Sequence, residues 1–166
     1  MATGAELTYT TNASALAMAE AIFGSGVSVV NASYTGDSRA SAIYSNGDAL
    51  APNTTPGDTG VILSTGQANR FTQSSGDPNR STQTTSTNNG PNNNSDFNTA
   101  AGASTFDASF LDIDFIPDND LMTMRFVFSS EEYPEFNNSI YQDFVGVWVN
   151  GQQVGILAGN GDADPA

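Results

Sequence analysis

One run holds the densest polar chemistry of this 166-residue chain: Ser129-Ser130-Glu131-Glu132-Tyr133-Pro134-Glu135-Phe136-Asn137-Asn138, followed by Asp143. It begins where the apolar stretch 125–128 ends, and it stops where the apolar stretch 144–149 begins. Carboxylates confined to such a connection repel one another, and each raises the cost of ionising the next. Arg125 is the one cation close by in sequence. A bound Ca²⁺ would relieve the repulsion, because this hard cation takes six to eight oxygens from carboxylates, amides and backbone carbonyls. The same run also reads as a solvated acidic loop. The metal reading takes Glu131, Glu132, Asn138 and Asp143 as ligands, with Asp107 arriving from a distant segment.

Other acidic residues carry less. Asp112 and Asp114 fall on one face of an alternating segment, where exposure to solvent accounts for them. Asp118 and Asp120 sit in the turn that follows. Asp162 and Asp164 lie near glycines but lack the closing Glu of an EF-hand loop. A glycosidase pair, Glu131 or Glu132 with Asp143, would need a separation that the sequence does not fix. Of the aromatics near it, Tyr133, Tyr141 and Trp148, the last falls in an apolar strand and reads as core. The expectation is therefore a protein that is not an enzyme.

The elements that must position these residues are mostly strands. Residues 13–23 form the one amphipathic helix, with Ala15, Met18, Ala19, Ile22 and Phe23 on a single stripe. Asn12 or Ser14 would cap its start, and Gly24 would follow its end. Strands are expected over 27–34, 40–44, 60–65, 110–116 and 121–129. Residues 144–149, apolar on both faces, predict a central buried strand. Asn150-Gly151 predicts a tight hairpin joining it to 152–157. The pattern is that of a mainly β fold, a β-sandwich or jelly roll with one N-terminal amphipathic helix, in a single domain over 1–166. Residues 72–105, rich in Asn, Ser and Thr with Phe97 as the one large aromatic, predict a long loop within it.

Composition narrows the function. Four Lys plus Arg, all of them Arg, stand against 18 acidic residues, a net charge of -14. Such a chain lacks the basic footprint that nucleic acid requires, and anionic membrane surfaces repel it. Without Cys or His there is no thiolate nucleophile, no Ser-His-Asp triad and no ordinary zinc site. Without Lys there is no Walker loop. No signal peptide is legible at Met1 and no apolar run is long enough to span a bilayer.

Several segments together resemble the choice-of-anchor L domain of bacterial secreted and surface proteins. They are Asn31-Ala32-Ser33-Tyr34-Thr35-Gly36, Gly60-Val61-Ile62-Leu63-Ser64-Thr65-Gly66, and the run from Thr105 to Pro117. The most distinctive are Phe126-Val127-Phe128-Ser129-Ser130-Glu131-Glu132-Tyr133-Pro134-Glu135-Phe136 and Asp143-Phe144-Val145-Gly146-Val147. The resemblance implies an extracellular, β-rich module joined to varied sorting or anchoring signals. It places Asp107, Glu131, Glu132 and Asp143 at recurrent family positions. It also implies further acidic strand motifs after the last residue here, so a truncated domain, a split domain or a fibre subunit is expected.

The function expected is a calcium-stabilised module of a bacterial surface adhesin or biofilm-matrix protein. The alternatives are a carbohydrate- or peptide-binding module and a subunit of an extracellular fibre built by strand complementation. Partners would be an extracellular glycan or protein, a second copy, or complementing strands, with neither nucleic acid nor membrane insertion.

Overall fold

The computed structural model describes residues 7–52, 54–70, 88–130 and 143–155. They fall into two compact units. The first comprises the chain up to Pro91 together with Phe106–Val127, and the second comprises Asn92–Thr105 and the chain from Phe128.

The first unit holds two antiparallel sheets. Strands β1 (Thr8–Thr11), β3 (Ser41–Ser45) and β4 (Gly60–Leu63) form one, in the order β1-β3-β4. Strands β2 (Val27–Thr35) and β5 (Phe110–Pro117) form the other, in register from Val27 opposite Pro117 to Thr35 opposite Phe110. The alternation in β5 decides its facing. Leu111, Ile113 and Phe115 are half-buried while Asp112 and Asp114 are exposed. The exposed acids face small polar partners, with Asp114 opposite Asn31 and Asp112 opposite Ser33. A register shift between Val29 and Asn31 leaves Val30 out of the ladder and exposed, the arrangement of a β-bulge.

Helix α1 (Ala15–Ile22) packs against strands of both sheets. Ser14 caps it, its hydroxyl accepting the Ala17 N–H at 3.1 Å, and Phe23 leaves the helix in an extended conformation. That places the Phe23 ring 5.0 Å from Phe115 on β5. Met18 and Ala19 are buried beneath the helix. Among the described residues, Leu7, Met18 and Tyr44 are the large buried apolar side chains, and the other buried apolar residues are alanines. Tyr44 is held between Gly47 and Gly60, and its hydroxyl donates to the Gly57 carbonyl at 3.1 Å. Burial pushes its phenol above the ordinary value. A one-turn helix, α2 (Gly47–Leu50), and a 3₁₀ turn (Ala68–Arg70) complete this unit.

The second unit contains α3 (Ser95–Ala101) and a hairpin of β6 (Trp148–Val149) and β7 (Gln152–Gln153). The hairpin turn is the expected one: Asn150 and Gly151 both have positive φ, 51° and 75°, as a type I′ turn requires. Phe97 of α3 stacks on Trp148 at 5.3 Å, and Phe144 meets the same indole at its edge, 6.3 Å away.

The mainly β fold with an N-terminal helix is as the sequence predicts, and four expected strands lie within a residue or two of their places. Three expectations are corrected. Residues 121–129 form no strand, because no described residue pairs with their backbone. Residues 144–149 are not a buried central strand: Trp148 and Val149 pair in a two-stranded hairpin, the Val154 N–H adds a bond to the Val147 carbonyl at 2.9 Å, and Val149 is exposed. The far part of its partner segment, 156–157, lies outside the described residues. The 72–105 stretch is not all loop, since it contains α3. Asn94 caps that helix by accepting the Asp96 and Phe97 N–H groups at 3.0 and 3.1 Å, and Gly102 closes it at φ 66°.

Candidate functional site

Of the expected metal ligands, Glu131, Glu132 and Asn138 lie outside the described residues. Asp107 belongs to the first unit and Asp143 to the second, where it is exposed just ahead of Phe144. Among the described residues, no three carboxylates gather at one point.

Asp107 sits at the entrance to β5 in a left-handed backbone conformation, φ 52°. Asp and Asn tolerate this region because their short polar side chains bond locally. Its surroundings are close. The backbone of Gly90 packs so tightly on it that a Cβ there would stand 2.6 Å from the Asp107 carbonyl carbon. The Ala108 N–H donates to the Pro91 carbonyl at 3.0 Å and keeps the two segments together. Partial burial pushes the Asp107 carboxyl above its ordinary value, and the nearby charge of Asp37 pushes it in the same direction.

Asp37 is the centre of the best-organised polar cluster in the described structure, and it was not among the residues expected from sequence. It lies in the turn between β2 and β3 and is buried. Its Oδ1 accepts the Arg39 backbone N–H at 2.9 Å and Nε at 3.0 Å. Its Oδ2 accepts Arg39 Nη2 at 2.9 Å and the Asn89 backbone N–H at 2.8 Å. This is the one ion pair among the described residues. Arg39 and Asn89 together hold the carboxyl far below the usual carboxylate range, with the Arg39 side-chain bond contributing most.

The turn is tied in further ways. The Tyr34 hydroxyl donates to the Asp37 carbonyl at 2.9 Å and lies 3.0 Å from the Ser109 hydroxyl. Ser109 in turn reaches the Ala40 carbonyl at 3.2 Å. On the other side, the Ala68 N–H donates to the Arg39 carbonyl at 2.9 Å. The Asn88 amide donates to the carbonyls of Thr65, at 2.7 Å, and Gly66. Residues 34–40, 65–68, 88–91 and 107–109 thus converge on one turn.

The two aspartates therefore play different parts. Each Asp37 oxygen accepts two hydrogen bonds, so its lone pairs are committed to holding the turn. Asp107 is partly buried, and that burial, with the charge of Asp37, pushes its carboxyl above the ordinary value.

The chain belongs to the choice-of-anchor L domain family, which matches residues 6–161. No curated protein and no solved structure matches it. Membership makes it a module of a bacterial secreted or surface-associated protein. No helix among the described residues is long and apolar enough to cross a membrane.

Proposed function

We propose that this chain is a non-enzymatic, calcium-stabilised extracellular module of a bacterial surface adhesin or biofilm-matrix protein. What supports the calcium part is the partial burial of Asp107 at the entrance to β5 in a left-handed turn, a burial that pushes its carboxyl above the ordinary value, with the charge of Asp37 acting in the same direction. A divalent cation would offset the same cost of holding the charge. Asp107 and, separately, the acidic run Glu131, Glu132, Asn138 and Asp143 offer oxygens of the right chemistry. Asp37 does not, since its oxygens are already occupied.

In this reading, calcium binding contributes directly to folding, because ligands bound only by the native state stabilise it by mass action. At a free calcium concentration about 100 times the dissociation constant, the gain would be about 2.7 kcal/mol. The test is a thermal melt of the purified protein in calcium and in chelator at matched ionic strength, with metal analysis of the calcium-loaded sample. A higher midpoint in calcium and bound calcium in the sample are expected. Equal midpoints would sink the proposal.

A further inference from the structure

Residues 121–127, Leu121-Met122-Thr123-Met124-Arg125-Phe126-Val127, are exposed along their whole length and take part in no helix or strand ladder. Residues 118–120 separate them from β5, and both segments belong to the same compact unit. Strand β5 pairs with β2 along one edge, and no described strand pairs along its other edge. Its apolar face is also incompletely covered. Leu111, Ile113 and Phe115 are half-buried, and Ile116 on the opposite face is 61 % exposed. An open sheet edge beside an unpaired apolar segment of the same chain is a template for pairing between the two.

The side chains select one way of pairing. A chain that turns back through the four residues 117–120 sets Leu121 opposite Ile116 in an antiparallel ladder, and loops of this length are common in hairpins. Residues directly opposite one another share a face. On the inner face Met122, Met124 and Phe126 then meet Phe115, Ile113 and Leu111. On the outer face Thr123 meets Asp114, Val127 meets Phe110, and Arg125 meets Asp112, so the one charge of the run faces an opposite charge. A slip of one residue would turn Arg125 inward and Met122, Met124 and Phe126 outward. A slip of two towards a shorter turn keeps the faces but sets Val127 against Asp112 and Thr123 against Ile116. We infer that residues 121–127 are a strap that docks on the open edge of β5 in the first of these registers, as the third strand of the β2–β5 sheet, and that this structure shows the strap undocked. Docking covers the apolar run and closes an edge that could otherwise recruit strands from other molecules. The inference goes beyond the calcium reading and does not depend on it.

The chain has no cysteine, so introduced pairs report the register. Two double variants are compared in chelator with oxidised glutathione, and every substituted position is exposed in the structure. Asp114→Cys with Thr123→Cys places the thiols opposite one another in the docked register. Ile116→Cys with Thr123→Cys does so only after the slip of two residues. Diagonal neighbours stand about 7–8 Å apart, too far for an unstrained disulfide. The first pair should therefore close within one molecule at least about tenfold faster than the second. Adding Arg125→Asp to the first variant replaces a cross-strand attraction by a repulsion and should slow closure about two- to thirtyfold. Adding Asp112→Arg as well should restore the rate. Equal rates for the two pairs, faster closure of the second, closure of neither, or no effect of Arg125→Asp would each overturn the inference. Disulfides formed mainly between molecules would also overturn it, and would make a second copy the occupant of the edge.

Discussion

The Asp37 carboxylate accepts the Asn89 backbone N–H at 2.8 Å, joining residues 52 positions apart in the sequence. The same carboxylate is gripped by Arg39, so a single side chain fixes the β2–β3 turn and the segment that leads back towards β5. Replacing it with Asn keeps the shape but puts an amide NH₂ where an acceptor is needed, facing either Asn89 or Arg39. Asp37→Asn should cost about 1–3 kcal/mol, the range for leaving buried donors without their charged acceptor. Denaturant melts of the two proteins check this. The pH dependence has a definite sign. The folded-state pKa is depressed, so the contribution is complete well above the unfolded value of about 3.9 and declines as the pH falls below it. The gap between Asp37 and Asp37→Asn should therefore narrow on acidification. A gap that stays constant down to acid unfolding would assign the role to shape rather than to charge.

Gly90 lies directly against the backbone of Asp107 and Ala108. A Cβ there would stand 2.6 Å from the Ala108 oxygen and 2.9 Å from the Asp107 Cα. Both are backbone atoms held by the Ala108–Pro91 hydrogen bond, so neither can swing aside as a flexible side chain would. Gly90→Ala should destabilise by about 1–3 kcal/mol through overpacking. The added methyl changes no charge, so the loss should be the same at every pH where the protein folds. An unchanged midpoint would show that the two segments separate freely.

Asp107 offers the opposite test. Its left-handed φ of 52° suits Asn as well as Asp, whereas Ala has no local hydrogen bond to offset the strain. Its folded pKa is raised by burial first and by Asp37 second, so its ionisation disfavours the fold as the pH rises above the unfolded value. In chelator at neutral pH, Asp107→Asn should thus melt at or above the unmodified protein, and Asp107→Ala about 1 kcal/mol below Asp107→Asn. In calcium, the order of Asp107 and Asp107→Asn should reverse if Asp107 is a ligand. The same order in both buffers would remove it from the ligand set.

Much of the fold was legible because it rests on local patterns. Alternation identified β5, the helical stripe and Ser14 identified α1, and Asn150-Gly151 identified the hairpin turn. Helix α3 was hidden by composition. Its own signals, Asn94 at one end and Gly102 at the other, are sharp, but they stand in a stretch too poor in apolar residues to suggest a helix. What completes α3 is Phe97 stacking on Trp148, a contact made across the sequence. The 121–129 strand failed for the complementary reason. Propensity and apolar pattern describe what a segment would do beside a neighbour, and no described residue is paired with it in this structure. The proposed ligand set was legible as chemistry alone, and of its members Asp107 and Asp143 are the two that the structure describes. Asp37 escaped notice because its importance comes from Asn89 and Arg39 meeting it in space, although Asp-Ser-Arg in a turn was a usable local signal.

Salt separates the general effect of charge from any specific site. The chain carries a net charge of -14, and one ion pair occurs among the described residues. Among the described residues most of the buried apolar side chains are alanines, which leaves them little apolar burial to set against self-repulsion. Raising NaCl from about 0.05 M to 1 M shortens the screening length to about 3 Å and should remove most of that repulsion. The Arg39–Asp37 pair, short and with its acid buried, should be screened far less. The melting midpoint in chelator should therefore rise with NaCl. If calcium binds as proposed, calcium chloride at matched ionic strength should raise it further, because a bound ion adds its own mass-action term to the screening. A midpoint that falls with NaCl would mean that attractive charge pairs outweigh the repulsion, and the net charge would then lend no support to the proposed cation.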